Sequence, residues 1–413
     1  MSAELLQIGL LLFVAALVAM LSRRLHLPYT IGLVLAGIGL YFSPVRIELQ
    51  LSKELIYSVF LPPLVFEAAL YMHWPELKRN LPVVGVLATF GLALAAAVTA
   101  AGMHYAVGWP WASAVLFGVL IAATDPVSVI ATFKEAGVHG RLRILVEAES
   151  LLNDGTAAVA FTAALAMASG GGAGGLAAAG GAGGWIALAG SLLWTIGGGI
   201  VCGASAGFAL MLLAGRTRDH LVEITFSTLT AYGSFMLAEH WHFSGVLAAM
   251  TAGLVTGNFR GSKGLSPHGR AAVEAFWEYA GFVINSLIFL LIGSREAELR
   301  FADLWAPVAA AVVLVTLGRA LAIYPPCALF AATRLRVDIK QQHVLFWGGL
   351  RGALALALAL ELPDKLPFHD DIVTVAFAVV AFSIFVQGLT MTPLLRKLGQ
   401  LSERGAQPSA ANR

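Results

Sequence analysis

Charge is scarce in this chain. Only 12% of its 413 residues are Asp, Glu, Lys or Arg, while 58% are hydrophobic. Soluble domains carry about 25% charged residues, so the deficit excludes a soluble enzyme and points to a polytopic membrane protein. Cysteine is nearly absent. Cys202 and Cys327, both in apolar runs, leave no disulfide framework and no CxxC metal pattern; they read as small buried hydrophobes. No basic cluster is dense enough for nucleic acid, and the net charge of +2 says little by itself. The first residues, MSAELLQIGLLLF, lack the basic start and small-residue cleavage site of a signal peptide and read as a retained first helix. Residues 1–396 are expected to form one transmembrane domain, and 397–413 a short tail with no room for a regulatory domain.

What fills the chain is apolar sequence. A membrane-spanning helix needs about 20 mostly apolar residues, with charge and turn residues confined to the gaps. On that criterion about thirteen spans start near residues 5, 27, 52, 81, 111, 143, 185, 220, 243, 271, 303, 341 and 371. Lysine and arginine test the count. Nineteen of the 26 fall in the loops after odd-numbered spans or in the tail, from Arg23 and Arg24 through Arg216 and Arg334 to Lys397. Five lie on the other side: Arg46, Lys53, Arg295, Arg300 and Lys365. A misplaced span would scramble that bias, which sets the odd loops and the C-terminus in the cytoplasm and the N-terminus outside. Arg319 and Arg351 fall inside spans. Residues 170–184, GGGAGGLAAAGGAGG, follow the sixth span and read as a flexible external tether, because glycine loses the most entropy on ordering.

A carboxylate at the bilayer centre costs roughly 2.5–3.5 kcal/mol, so acids retained inside spans mark sites of ion or proton movement. The sixth span reads EAESLLNDGTAAVAF. Glu149 with Asn153 and Ser150 with Asp154 are i,i+4 pairs, and the four side chains share an arc of about 140°. Two carboxylates, an amide and a hydroxyl are oxygen donors that suit a hard cation such as Na+. A plain hydrogen-bond network tying helices together is the alternative, and two acids so close together argue against it.

The fifth span contains Thr124, Asp125 and Pro126. Proline removes an N–H and clashes with the preceding turn, so the Ala122 carbonyl loses its helical partner. Broken backbone is tolerated at membrane depth only where it lines a cavity or is buried in protein. Asp125 there is either a neutraliser of exposed N–H groups or a direct ligand. The twelfth span, FWGGLRGALALALAL, has three glycines around Arg351, a cation placed to offset exposed carbonyl ends. Two interrupted helices crossing in opposite directions are the mark of an inverted-repeat transporter; no sequence repeat is visible, so this expectation rests on the breaks. In the third span Pro62 and Pro63 precede Glu67, which reads as an interfacial acid or as a third carboxylate at the site or its entrance. Arg319, buried in the eleventh span, needs an anion. Pairing it with Glu149 leaves Asp154 as the acid without a fixed counter-charge, free to exchange H+ for a cation. The tenth span brings Glu278, which reads as a snorkelling acid, with Asn285 and Ser286. His73, His139, His240 and His242 sit in loops or at span ends and read as solvated.

Five stretches together, LPPLVFEAAL, AATDPVSV, EAESLLNDG, FWEYAGFVINSLIFLLIG and GGLRGALALAL, resemble the sodium/proton antiporters of the NhaP type, relatives of the animal Na+/H+ exchangers. They come in the family's order and the likeness extends from about residue 5 to 395. The resemblance implies an all-α fold of thirteen helices with two interrupted crossing helices. It implies a core of residues 81–168 and 303–395, and a dimerisation part of residues 5–72 and 185–293, hence a homodimer. It maps the cation site onto Asp154 with Ser150, Asn153, the backbone around Thr124, and Glu67, beside Asp125, and the buried ion pair onto Glu149 and Arg319. The Asn-Asp sequence, in place of two acids, looks like the electroneutral branch. Two departures stand out: the glycine-rich loop is longer than the family norm, and the tail lacks the animal exchangers' regulatory region.

The expected activity is one-for-one exchange of Na+ for H+ by alternating access, with both ions competing at Asp154 in a bacterial inner membrane. It needs no cofactor, no ATP and no enzymatic chemistry. K+ or Li+ in place of Na+ stays open, because ligand number and cavity size decide it. A channel is disfavoured by the lack of a repeated selectivity filter, and an intramembrane aspartyl protease by the lack of a GxGD pattern.

Overall fold

The structure, a computed structural model, describes residues 2–25, 28–43, 52, 54–168, 182–258, 265–299 and 301–400. Among them there is helix and no strand, as membrane depth demands: only helices and closed barrels satisfy every backbone polar group without water. In chain order the helices are α1 (Ser2–Leu25), α2 (Tyr29–Tyr41), α3 (Leu55–Leu70), α4 (Trp74–Val107), α5 (Trp111–Leu120), α6 (Val127–Ala136) and α7 (Arg141–Ala168). They continue with α8 (Ala182–Ala214), α9 (His220–His240), α10 (Gly245–Asn258), α11 (Pro267–Glu298), α12 (Trp305–Ala328), α13 (Ile339–Trp347), α14 (Ala353–Leu360) and α15 (His369–Lys397).

Seven of these stretches are long and apolar enough to cross a membrane: α4, α7, the Gly190–Ala214 part of α8, α9, α11, α12 and α15. Large apolar side chains also face outward, among them Phe13, Phe90, Trp194, Val201 and Val313. A surface apolar outside as well as inside is what lipid-facing helices present.

Twelve of the thirteen expected spans have a helix starting within four residues of the position read from sequence. The exception is the fourth, expected at 81, where α4 begins at Trp74. Its opening turns carry Glu76, Lys78 and Arg79, so hydropathy passes over them. Geometry does not: Pro75 suits a first turn, where no N–H is needed, and the Trp74 N–H donates to Asn258 Oδ1 on α10 (2.8 Å). The glycine-rich segment is corrected at one end, since residues 182–184 already belong to α8; its other residues, and the tail beyond 400, lie outside the described residues. In the third span, Pro62 and Pro63 occupy the first turn of an α-helical stretch, Leu61–Leu70. A wide π turn, Leu55–Phe60, precedes it.

Packing falls into two sets. In one, α4, α5, α7, α12, α14 and α15 pack together; in the other, α2 packs on α11, and α10 packs on α3, α8 and α9. Both cysteines are buried and free. Within the second set the backbones touch. A Cβ on Gly37 of α2 would stand 2.1 Å from the Leu290 carbonyl oxygen of α11, and one on Gly293 would stand 2.1 Å from the Val34 carbonyl oxygen. In a membrane, close backbone approach of this kind supplies the dispersion contacts that the hydrophobic effect does not.

Gly293→Val is therefore expected to destabilise the protein by about 1–3 kcal/mol, read as a lower melting temperature in detergent. Gly39→Val, at an open position of α2 where a Cβ would meet nothing within 4 Å, is the control and should leave the melting temperature unchanged.

Candidate functional site

Two helix breaks meet inside the first set. Between α5 and α6, residues 121–126 leave the helix; between α13 and α14, residues 348–352 do the same. The breaks are stitched together by backbone: the Asp125 N–H donates to the Leu350 carbonyl at 2.7 Å. Each break exposes a carbonyl end and an N–H end, and each end has a partner of the opposite sign. Arg351 Nη1 donates to the Ala122 carbonyl at 2.7 Å and the Ala123 carbonyl at 3.0 Å, at the C-terminal end of α5. Arg319 Nη2 donates to the Leu345 carbonyl at 2.9 Å, near the end of α13. Asp125 Oδ1 accepts the Val127 N–H at 2.9 Å, capping α6. The other Asp125 oxygen stands against Gly352, at the start of α14, where a Cβ would lie 2.3 Å from it. Glycine at 352 is what lets the carboxylate come so near. Asp125 thus bonds the N-terminus of α6 and packs against the start of α14.

The four polar residues of α7 divide into two columns. Glu149, 2% exposed, takes a bidentate pair of hydrogen bonds from Arg319, with Nη1 to Oε1 at 2.6 Å and Nη2 to Oε2 at 2.9 Å. Asn153 lies one turn on, its amide donating to Glu149 Oε1 at 3.4 Å. Ser150 and Asp154 turn towards the first break instead. Ser150 Oγ donates to the Thr124 carbonyl at 2.6 Å and stands 2.9 Å from the Thr124 hydroxyl. Asp154 Oδ1 is buried without a hydrogen-bond partner.

In front of Asp154 is a cavity of about 70 Å³, room for a few waters or a partly hydrated small cation. Thr124, Asp125 and Asp154 line it, with Leu61, Leu64 and Val65 of α3 and the start of α14. Of the other residues expected at the cation site, Ser150 stands behind Thr124 and Asn153 faces Glu149; neither is on the cavity wall. Glu67 also lies off that wall, against Gly281 of α11, where a Cβ would come 2.2 Å from its Oε2. Glu278 is exposed. Sequence reasoning passed over Ser383 and named Asn285 without giving it a place. Ser383 accepts the Arg351 backbone N–H at 3.0 Å, and a lone serine in an apolar run carries no signal of that. Asn285 lines the cavity from α11; its signal was an amide in an apolar span.

Removing one partner of a buried ion pair strands the other, at a cost of about 3–5 kcal/mol. Arg319→Ala is expected to lose stability on that scale in a thermal melt. The Glu149→Arg/Arg319→Glu exchange should regain part of it. A double variant no better than either single one would show that the pair contributes nothing as a pair.

The family model for the transmembrane sodium/hydrogen exchangers matches residues 9–397. The chain is 38% identical to the Na+/H+ antiporter ApNhaP of Aphanothece halophytica, over 95% of this chain and 73% of that protein. It is 32% identical to the Na+/H+ antiporter NhaP of Pseudomonas aeruginosa, over 91% and 92%. The fold is similar to that of the sodium proton antiporter MjNhaP1 of Methanocaldococcus jannaschii at pH 8, with a TM-score of 0.74 and 20% identity, over 96% and 98% of the two chains. With nearly its whole length matched by the family model, and with relatives above 30% identity end to end, this chain belongs to the sodium/hydrogen exchanger family.

Proposed function

We propose that this protein is a secondary transporter exchanging Na+ for H+, with the two ions competing for the Asp154 carboxylate. One observation carries the reading. Asp154 has a buried oxygen without a partner at the wall of a small cavity, whereas Glu149, Arg319, Arg351 and Asp125 are each engaged. A carboxylate with no counter-charge and one oxygen unmet at membrane depth is stabilised when a proton or a cation joins it. The Thr124 backbone and Asp125 stand beside it as further oxygen sources, with Ser150 holding the Thr124 carbonyl in place and Glu67 near the approach from α11. Glu149, Arg319 and Arg351 hold the broken helices.

One carboxylate, neutralised by one cation in each direction, gives one-for-one electroneutral exchange. Asn153 adds no second charge. The first packing set moves as a core against the second, which also forms the contact between two copies in a homodimer. The nineteen-to-five distribution of basic residues puts the N-terminus outside and the C-terminus in the cytoplasm of a bacterial inner membrane. The ions drive each other, so the exchange requires neither covalent chemistry nor a cofactor.

The test is dequenching of a pH-sensitive dye in proteoliposomes on addition of Na+, Li+ or K+ in turn. Wild-type protein is expected to move protons in response to Na+, and Asp154→Asn to give no response. As pH falls, protonated Asp154 turns the cation away. The apparent KM for Na+ should then rise, approaching about tenfold per pH unit once the carboxyl is mostly protonated; a KM indifferent to acid would rule out competition at one site. Folded protein that responds to no cation at any pH would overturn the exchange itself, and a response to K+ alone would rename the cargo.

Electroneutrality has its own check. Clamping the membrane potential at opposite signs with K+ and valinomycin should leave the initial exchange rate unchanged, within error. A rate that follows the potential would mean that net charge crosses in each cycle.

A further inference from the structure

Helix α11 carries two adjacent polar side chains, Asn285 and Ser286, in an otherwise apolar stretch running from Gly281 to Gly293. They have different fates. Ser286 is fully buried and used locally, hydrogen-bonded to the Tyr29 hydroxyl and the Phe282 carbonyl. Asn285, turned about 100° from it around the helix, is half-buried and lines the same cavity as Asp154. Among the described residues nothing hydrogen-bonds the Asn285 amide. Two uncommitted polar groups, the Asn285 amide and Asp154 Oδ1, therefore border one small cavity from different helices. A buried polar atom left unmet is costly, so whatever occupies the cavity must satisfy Asp154 Oδ1, and the Asn285 amide is available to it on the wall of the same cavity.

We propose that Asn285 supplies a neutral oxygen ligand to the transported cation in the cavity that Asp154 also lines, and so helps set which monovalent cation the cavity prefers. The proposal rests on the reading of the Asp154 cavity as the cation site. An amide oxygen is a hard donor suited to a small hard cation. Being neutral, it improves dehydration of the ion without adding charge to the exchange. Its position adds a mechanical consequence: Asp154 belongs to one packing set and Asn285 to the other. A cation held by both ties α7 to α11 across the cavity, so loading the site also draws the two sets together. Glu67 lies against Gly281, one helical turn from Asn285, on the same approach.

The experiment compares wild type with Asn285→Ala, Asn285→Asp and Asp154→Asn in proteoliposomes, measuring KM and maximal rate separately for Na+, Li+ and K+. Losing one ligand oxygen is expected to raise the KM for Na+ about five- to tenfold. The maximal rate should stay within about twofold of wild type, with the order or spacing of the three cations changed. The isosteric Asn285→Asp keeps an oxygen in place and should hold the KM at or below the wild-type value. A KM and cation preference in Asn285→Ala indistinguishable from wild type would overturn the proposal. So would equal losses of maximal rate for all three cations in both Asn285 variants, which is the signature of packing alone. If alanine yields no folded protein, Asn285→Leu, of similar size but without an oxygen, carries the same criteria. Asp154→Asn separates the two readings: if it still exchanges cations for protons, the site itself is misassigned. If it is inactive while Asn285→Ala behaves as wild type, only the ligand role of Asn285 fails.

Discussion

The constraint on which everything else depends is that no backbone polar group can go unmet at membrane depth. The protein breaks two helices there and then accounts for the loose ends. The Asp125 N–H reaches across to the Leu350 carbonyl. Arg351 covers two carbonyls at the end of α5, and Asp125 covers the first N–H of α6. Side-chain charge substitutes for the missing turns of helix. Because the two breaks supply each other's partners, neither is stable alone, and the crossing becomes a rigid frame with open backbone at its centre.

That frame explains how acids can be kept inside a membrane. Glu149 is neutralised by Arg319, which also covers a carbonyl near the end of α13. Asp125 is held by the N-terminus of α6, and Arg351 by the carbonyls at the end of α5. With these commitments made, Asp154 keeps a buried oxygen without a partner, as Asn153 and Glu296 also do among the described residues, and of these three Asp154 is the one on the wall of the cavity. The same set of bonds that makes the fold possible leaves one oxygen of Asp154 unpartnered at the cavity.

The helix interfaces point to how such a frame can sit in lipid. In the second set, glycine lets α2 and α11 approach to backbone contact, and close packing without water between helices resists internal deformation. The cavity lies where residues of both sets face each other: α7 and the breaks on one side, α3 and α11 on the other. A site at the seam of two tightly packed sets is one whose occupancy is felt by both.

Much of this was legible in the residues, for local reasons. A span must be apolar over its whole length, so hydropathy found the helices. It missed the first turns of α4 because Glu76, Lys78 and Arg79 lie at the helix end, where charge is allowed. Pro126 and the glycines around Arg351 marked the breaks, because proline lacks a donor and glycine weakens a helix wherever it stands. Charge counting paired Arg319 with Glu149, because a buried cation needs an anion. The all-helical membrane class, the two interruptions and the set of buried charges thus follow from local chemistry. Which of those charges are committed depends on contacts between helices far apart in the chain. The arc of four polar residues on α7 splits into a column facing Arg319 and a column facing the broken backbone. Ser150 goes to Thr124, Asn153 donates to Glu149 while its Oδ1 stays unpartnered, Asp154 keeps a free oxygen on the cavity wall, and Asn285 reaches the same cavity from a helix more than a hundred residues away. Periodicity places a side chain on a face of its own helix; what that face meets depends on how helices distant in sequence pack against it.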